Sequence, residues 1–310
     1  MIYKVRRDNM KFLKKILSLS LVTFLTIGLF TSCSDKTNNK KIGLVLSTLN
    51  NPFFVSMKDG AERESKKLGY DLIVLDSQND PVKERSNIED LIQLDIVALL
   101  INPTDSDAVV KAIEVANQSN IPVITLDRQS NGGEVTTHIA SDNIKGGAMA
   151  GEFVLEKFGT TQNVNIVEIQ GIPGASATRD RGAGFHSVLD DKSNVTFISS
   201  QAADFDRQKG LSVMENIIQG NKDIQVVFAH NDEMALGAAK AIMANNIDAT
   251  VIGFDGGDDA LDAIENGEMQ ATVAQQPDLI GELGVQIAQK IDNNQTVDKE
   301  IAADLKIVSR

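Results

Sequence analysis

The stretch Ile42-Gly43-Leu44-Val45-Leu46-Ser47 is a short apolar run ending on a hydroxyl, and the polar break Asn50-Asn51-Pro52 follows closely. Beyond the break, residues 54–68 place Phe54, Met57, Ala61 and, two turns on, Leu68 at helical spacing. An apolar run bounded by turn residues reads as a buried strand, and the spacing after it as a helix packed back on that strand. The unit recurs. Further strand candidates lie at 71–76, 96–101, 123–126, 164–169, 195–199, 225–229, 250–254 and 271–274, with helical periods at 82–94, 105–118 and 207–218. Repeated strand–helix units predict parallel sheets with helices on both faces. Nine strands exceed one comfortable doubly wound domain, so the fold class expected is α/β with two Rossmann-like lobes. Residues 137–142 and Gln275-Gln276-Pro277 read as places where the chain crosses between them.

Composition agrees with a globular chain. The 310 residues are 42% hydrophobic and 24% charged, a length that accommodates about two domains. The formal charge of −13 repels phosphate backbones, which argues against a nucleic-acid partner. A single cysteine excludes an intrachain disulfide and a cysteine-rich metal site.

The first 32 residues differ from the rest. They carry six bases (Lys4, Arg6, Arg7, Lys11, Lys14 and Lys15) and one acid, Asp8, so the chain from residue 33 onward stands at −18. Residues 16–30 are uncharged, too short for a membrane span of about 20 residues but right for the core of a signal peptide. Met10 opens a sufficient charged segment by itself. Thr31-Ser32-Cys33 resembles a bacterial lipobox, with Cys33 as the lipidated mature N-terminus and residues 33–40 as a tether. The alternative is ordinary secretion with a leftover cysteine. Either reading makes the protein an exported one, in the periplasm or at the outer face of the cell membrane. Lipidation anchors a chain to the membrane surface without threading it through.

In open α/β sheets, ligands bind beyond the carboxyl ends of the strands. The residues found there are Ser47, Asn51, Phe53 and Phe54, then Asn102, then Asp127-Arg128, then Asp204-Phe205, Asn231-Asp232, Phe254-Asp255 and Gln275, with Arg179 and Arg181 in the loop after Gly171. Asp76, Ser106, Asp142 and Asp258 read more simply as helix caps, and Asp232-Glu233 as compensation of a helix dipole. Arg179 and Arg181 flank Asp180, which equally fits a solvated charge run. Capping does not account for the arginines and phenylalanines. Carboxylates and amides match paired hydroxyls, arginine supplies a rigid donor fork, and flat rings suit the C–H faces of a sugar. The set points to a neutral polyol. No dinucleotide fingerprint, phosphate loop, zinc-protease motif or nucleophile elbow occurs, and His138, His186 and His230 are far apart. Neither a cofactor nor a metal is expected, nor an enzymatic nucleophile–base pair. A sugar-responsive gene regulator would need a DNA-binding module before the first strand, and residues 1–40 offer none.

The runs 46–56, 75–79, 101–108, 121–128, 203–207, 231–237 and 251–256 resemble the ribose-binding proteins of bacterial ABC importers, members of the type 1 periplasmic binding proteins. The likeness covers about residues 41–310 and includes the ligand loops. It implies two lobes joined by three hinge crossings, with lobes at 41–141 plus 276–303 and at 142–275 plus 304–310. It implies a monomer that binds D-ribose or a closely related monosaccharide. It also implies an ABC permease as partner, or a chemoreceptor in the alternative role of sugar or autoinducer receptor. The implied ligand residues are Asn51, Phe53, Phe54, Asn102, Asp127, Arg128, Arg181, Phe205, Asn231, Phe254, Asp255 and Gln275, with phenylalanines sandwiching the sugar ring. His230 stands where an amide is expected and Pro173 precedes Arg181; either would tune the pocket.

Overall fold

The computed structural model describes residues 40–310. The leader, Cys33 and most of the tether lie outside the described residues. Two six-stranded sheets organise the chain. The first contains β1 (Lys41–Leu46), β2 (Asp71–Asp76), β3 (Ile96–Ile101), β4 (Val123–Leu126), β5 (Thr137–Ser141) and β11 (Glu300–Ala303), in the spatial order β11-β5-β4-β3-β1-β2. The second contains β6 (Val164–Gln170), β7 (Val195–Ala202), β8 (Val226–Ala229), β9 (Thr250–Asp255), β10 (Ala271–Ala274) and β12 (Lys306–Ser309), in the order β12-β10-β9-β8-β6-β7. All pairings are parallel except β12 on β10. Both sheets therefore repeat one doubly wound order, with the switch between the first strand and the third.

The apolar runs become central strands because both of their faces are covered. Ile42, Leu44 and Leu46 pack with Phe54 and Met57 on one face of the first sheet, while Val45, Leu99 and Ile101 meet Ile88, Leu91 and Ile113 on the other. In the second sheet Val167, Ile169 and Val227 face Met214 and Met234, and Ile166, Val226 and Phe228 face Phe185 and Val154. Burying each such side chain stabilises the fold by about 1.5–3 kcal/mol.

All nine expected strands are present. Residues 137–142 are themselves mostly β5, which hands the chain to the second sheet through α4 (Asn143–Phe158). The chain returns through α9 (Pro277–Asp292), adds β11 to the first sheet, and crosses a third time by Asp304 and Leu305 alone before β12. The expected caps divide. Asp142 caps α4 by accepting the Lys145 N–H at 2.9 Å. Asp76 instead stabilises a turn, accepting from Leu49 and Gln78. Ser106 accepts from Arg179, and Asp258 lies inside the first turn of α8 (Asp258–Asn266), whose cap residue is Gly257.

Candidate functional site

The carboxyl ends of both sheets face one another, and the residues expected there converge. From the first lobe, Asn51 starts α1 (Pro52–Leu68), with its Oδ1 accepting the Phe53 N–H at 2.9 Å. This cap brings Phe53 and Phe54 to the strand ends, their rings edge to face at 5.3 Å. Beyond β3 and β4, Ser47 Oγ donates to Asn102 Oδ1 at 2.6 Å, and Asn102 Nδ2 donates to Asp127 Oδ2 at 3.1 Å. Arg128 donates to the Pro103 carbonyl at 3.2 Å and lies over Phe54 and Phe205 at 5.1 and 4.9 Å.

The second lobe contributes Arg181 from α5 (Ser176–Leu189), Phe205 after β7, Asn231 at the start of α7 (Asp232–Ala244), and Asp255 at the end of β9. Gln275 follows β10 and donates to Asp255 Oδ1 at 2.9 Å. Arg181 donates Nε–H to Asn143 Oδ1 at 2.8 Å and Nη1–H to the His230 carbonyl at 2.5 Å, with its guanidinium 3.8 Å from the centre of the Phe254 ring. Asp127, Phe205 and Asp255 hold positive φ angles of 61°, 61° and 129°. For side chains other than glycine this is sparsely populated backbone, and it collects where a fold over-determines a site.

Nine of these residues, joined by Ala177, line one narrow pocket between the lobes. Asp127, Arg128 and Arg181 are each 3% exposed, so the charged groups of the pocket are largely withdrawn from bulk water. Its chemistry is mixed: three rings, two carboxylates, two guanidiniums and two amides. Burial pushes the Asp127 carboxyl upward against the pull of Arg181 and Arg128, and pushes Asp255 well up against that of Arg181. Asp127 Oδ1, Arg128 Nε and Gln275 Oε1 are buried without a hydrogen-bond partner in the protein. Each such group costs about 1–3 kcal/mol unless something pairs it. A ligand bearing several hydroxyls supplies both the donors and the acceptors.

The lobes are held closed away from the cavity as well. Ser106 N–H donates to the Gly174 carbonyl at 3.0 Å, and Gln129 N–H to Ser176 Oγ at 2.9 Å. Arg179, exposed rather than part of the cavity, reaches Ser106 and Asn131 from the opposite lobe. Among the described residues no cluster of His, Cys, Asp or Glu is arranged to hold a metal ion.

Behind the Asn102–Arg128 wall, Glu84 accepts the Thr104 N–H at 2.7 Å while 1% exposed. Burial raises its pKa to about 7, despite the Thr104 bond. A carboxyl whose folded pKa is raised contributes stability that is complete below its ordinary 4.5 and is lost as pH rises through about 7. Glu84→Gln keeps the acceptor and removes the charge. Its melting temperature should therefore gain on the wild type by about 2–4 °C between pH 6 and pH 8.5. Parallel pH profiles for the two proteins would refute this.

The family model for the periplasmic binding protein domain matches residues 42–295. The chain belongs to the periplasmic binding protein family. A ribose import binding protein of Bacillus subtilis is 51% identical over 302 residues, covering 94% of this chain and 98% of that protein. Its Escherichia coli counterpart is 54% identical over 269 residues, covering 86% and 90%. Among solved structures, an ABC transporter solute binding protein from Mycobacterium smegmatis with bound glycerol superposes with a TM-score of 0.84 at 32% identity, covering 87% of this chain and 94% of that one.

Within this binding protein, the expected residues occupy two shells. Asn102, Phe254 and Gln275 stand behind the cavity wall: Asn102 braces Asp127, Gln275 braces Asp255, and the fully buried Phe254 ring backs Arg181. Asn51 and Asn231 do cap helices, through Oδ1, while also lining the cavity. His230 does not tune the pocket with its ring. The imidazole is fully buried on the far side of β8, where it meets Glu168 Oε1 at 2.9 Å, and burial lowers its pKa. Only its carbonyl reaches the site, through Arg181. Asp232 is no simple dipole partner; its carboxylate accepts from Thr272 Oγ1 at 2.7 Å and Gly257 N–H at 2.8 Å. Sequence reasoning missed Ala177 and Asn143. Asn143 lies just past the end of β5, a stretch the sequence reads only as a crossing, and Ala177 carries no polar signal.

Proposed function

We propose that this protein is the substrate-binding component of an ABC importer that captures D-ribose in the pyranose form between its lobes. The observation that carries this reading is the set of side chains that converge on one pocket between the lobes. It combines phenyl rings from both lobes with buried donors and acceptors that the protein leaves unpaired. The import-protein names of the two relatives at 51% and 54% identity support the same ligand. The twelve residues act together: Phe53, Phe54 and Phe205 take the ring faces, Asp127 and Asp255 accept from hydroxyls, and Arg128, Arg181, Asn51 and Asn231 donate. Asn102, Phe254 and Gln275 hold them in place.

Capture is a hinge motion. Residues 41–141 plus 276–303 move as one lobe and residues 142–275 plus 304–310 as the other, and the sugar favours the closed form by the contacts that exist only there. An epimer leaves a buried carboxylate or guanidinium unmatched, a cost on the order of 1–3 kcal/mol or more. The closed protein then delivers its sugar to a membrane permease, from an exported position in which lipidated Cys33 anchors the chain to the membrane surface. Calorimetry of the leaderless protein against ribose, allose, xylose, arabinose and galactose tests the ligand. Ribose is expected to bind most tightly, and no heat with any of the five would sink the reading.

A further inference from the structure

Asn143 is the first residue of α4, immediately past the first crossing, and its side chain is buried. Its Oδ1 accepts the Nε–H of Arg181 at 2.8 Å, while its Nδ2 donates to the carbonyl of Ser141, the last residue of β5, at 3.4 Å. The helix does not need this side chain as a cap, because Asp142 already serves. Arginine has five N–H donors in one plane. Here one is committed to Asn143 and one to the His230 carbonyl, and the remainder face Asp255 at 3.6 Å and Asp127 at 3.9 Å. Both distances exceed a hydrogen bond, so the free edge of the guanidinium is left for a ligand hydroxyl. The Nε bond is what sets the plane of that edge: without it, the guanidinium keeps one carbonyl and the Phe254 face, about which it can turn.

We propose that Asn143 is a positioning residue for sugar capture, fixing the plane of the Arg181 guanidinium and tying it to the first crossing so that the arginine is aimed into the cavity in the closed form. This rests on the reading of the cavity as a sugar site. The arrangement couples the hinge to the ligand through two hydrogen bonds. Asn143 itself need not touch the sugar.

Ribose calorimetry on wild type, N143A, N143D, N143Q, R181K and N143A/R181K, with melting curves for each, tests the proposal. N143A should weaken binding about tenfold or more, the scale of one hydrogen bond to a charged group. N143D keeps an acceptor oxygen in place and should remain within about threefold of wild type. N143Q displaces that oxygen by a methylene and should fall with N143A. R181K retains a positive charge but has no Nε–H to meet Asn143, so N143A should add less than about a twofold loss in that background. N143A affinity within twofold of wild type, N143D as weak as N143A, or full additivity with R181K would each overturn the proposal. Should N143A fail to fold, the contrast between N143D and N143Q decides. A wild type that binds no aldose would instead overturn the sugar reading.

Discussion

Asp127→Ala should weaken ribose binding by roughly 30-fold to several thousand-fold, the range for removing one partner from a buried charged cluster. Two losses combine. The sugar loses a carboxylate acceptor, and Arg128 and Arg181, both buried, are left facing the same space without the carboxylate 3.7 and 3.9 Å away. Each lobe should still fold, since among the described residues the only side-chain hydrogen bond of Asp127 is the one from Asn102. The φ of 61° is a complication, because alanine in left-handed backbone costs about 1–2 kcal/mol by itself. Asp127→Asn separates the effects: asparagine tolerates that backbone and preserves the shape while removing the charge. Calorimetry and melting curves on both variants give the answer. If D127A binds ribose as the wild type does, Asp127 is not the acceptor assigned to it; wild-type binding by D127N alone would remove only the role of its charge, since the amide oxygen still accepts.

Gly174→Ala is expected to disfavour closure without disturbing either lobe. A Cβ at Gly174 would stand 1.8 Å from Asp105 Oδ2, and no positive φ at Gly174 strains the substitution itself. Asp105 belongs to the other lobe and cannot easily swing aside, because its Oδ1 accepts from the Asp107 and Ala108 N–H groups at 2.9 and 2.8 Å. The overlap therefore exists only when the lobes meet. Overpacking of this kind costs about 1–3 kcal/mol, so ribose affinity should drop about 5- to 150-fold through faster release. The unliganded melting temperature should not change, and small-angle scattering should show less compaction on adding sugar. Asp105→Ser shortens the obstructing side chain while preserving a turn acceptor, and D105S/G174A should recover most of the affinity. Wild-type affinity in G174A, or no recovery in the double variant, would remove this contact from the closing surface.

Much of this architecture is legible before any coordinates. Central strands such as 96–101, apolar along its whole length, and 250–255, apolar between Thr250 and Asp255, are legible because helices cover both faces, and that signature is strong. Strands β11 and β12 were not legible. Each is four residues long at a sheet edge, and Glu300-Ile301-Ala302-Ala303 has no alternation and Ile301 as its one β-branched residue. The strand-end rule found the polar and aromatic members of the site because the doubly wound order gathers strand termini. It misread His230 because proximity along the chain is not proximity of side chains. Successive strand residues point to opposite faces, and His230 follows Phe228, whose ring lies 5.3 Å from the imidazole, whereas Asn231 lies one step on and faces the cavity. Asn143 needs knowledge of where the crossing packs, which no local pattern encodes.

The two-residue link from Ala303 to Lys306 limits what kind of excursion the halves are allowed. Three peptide steps stretch at most about 10–11 Å, and both ends are stitched into edge strands. Such a leash forbids the halves from drifting apart bodily and leaves rotation about a nearby axis, like a book opening at its spine. The displacement is then greatest at the lips farthest from Asp304 and Leu305. Splicing flexible residues into that leash would loosen the spine while leaving every wall of the chamber intact.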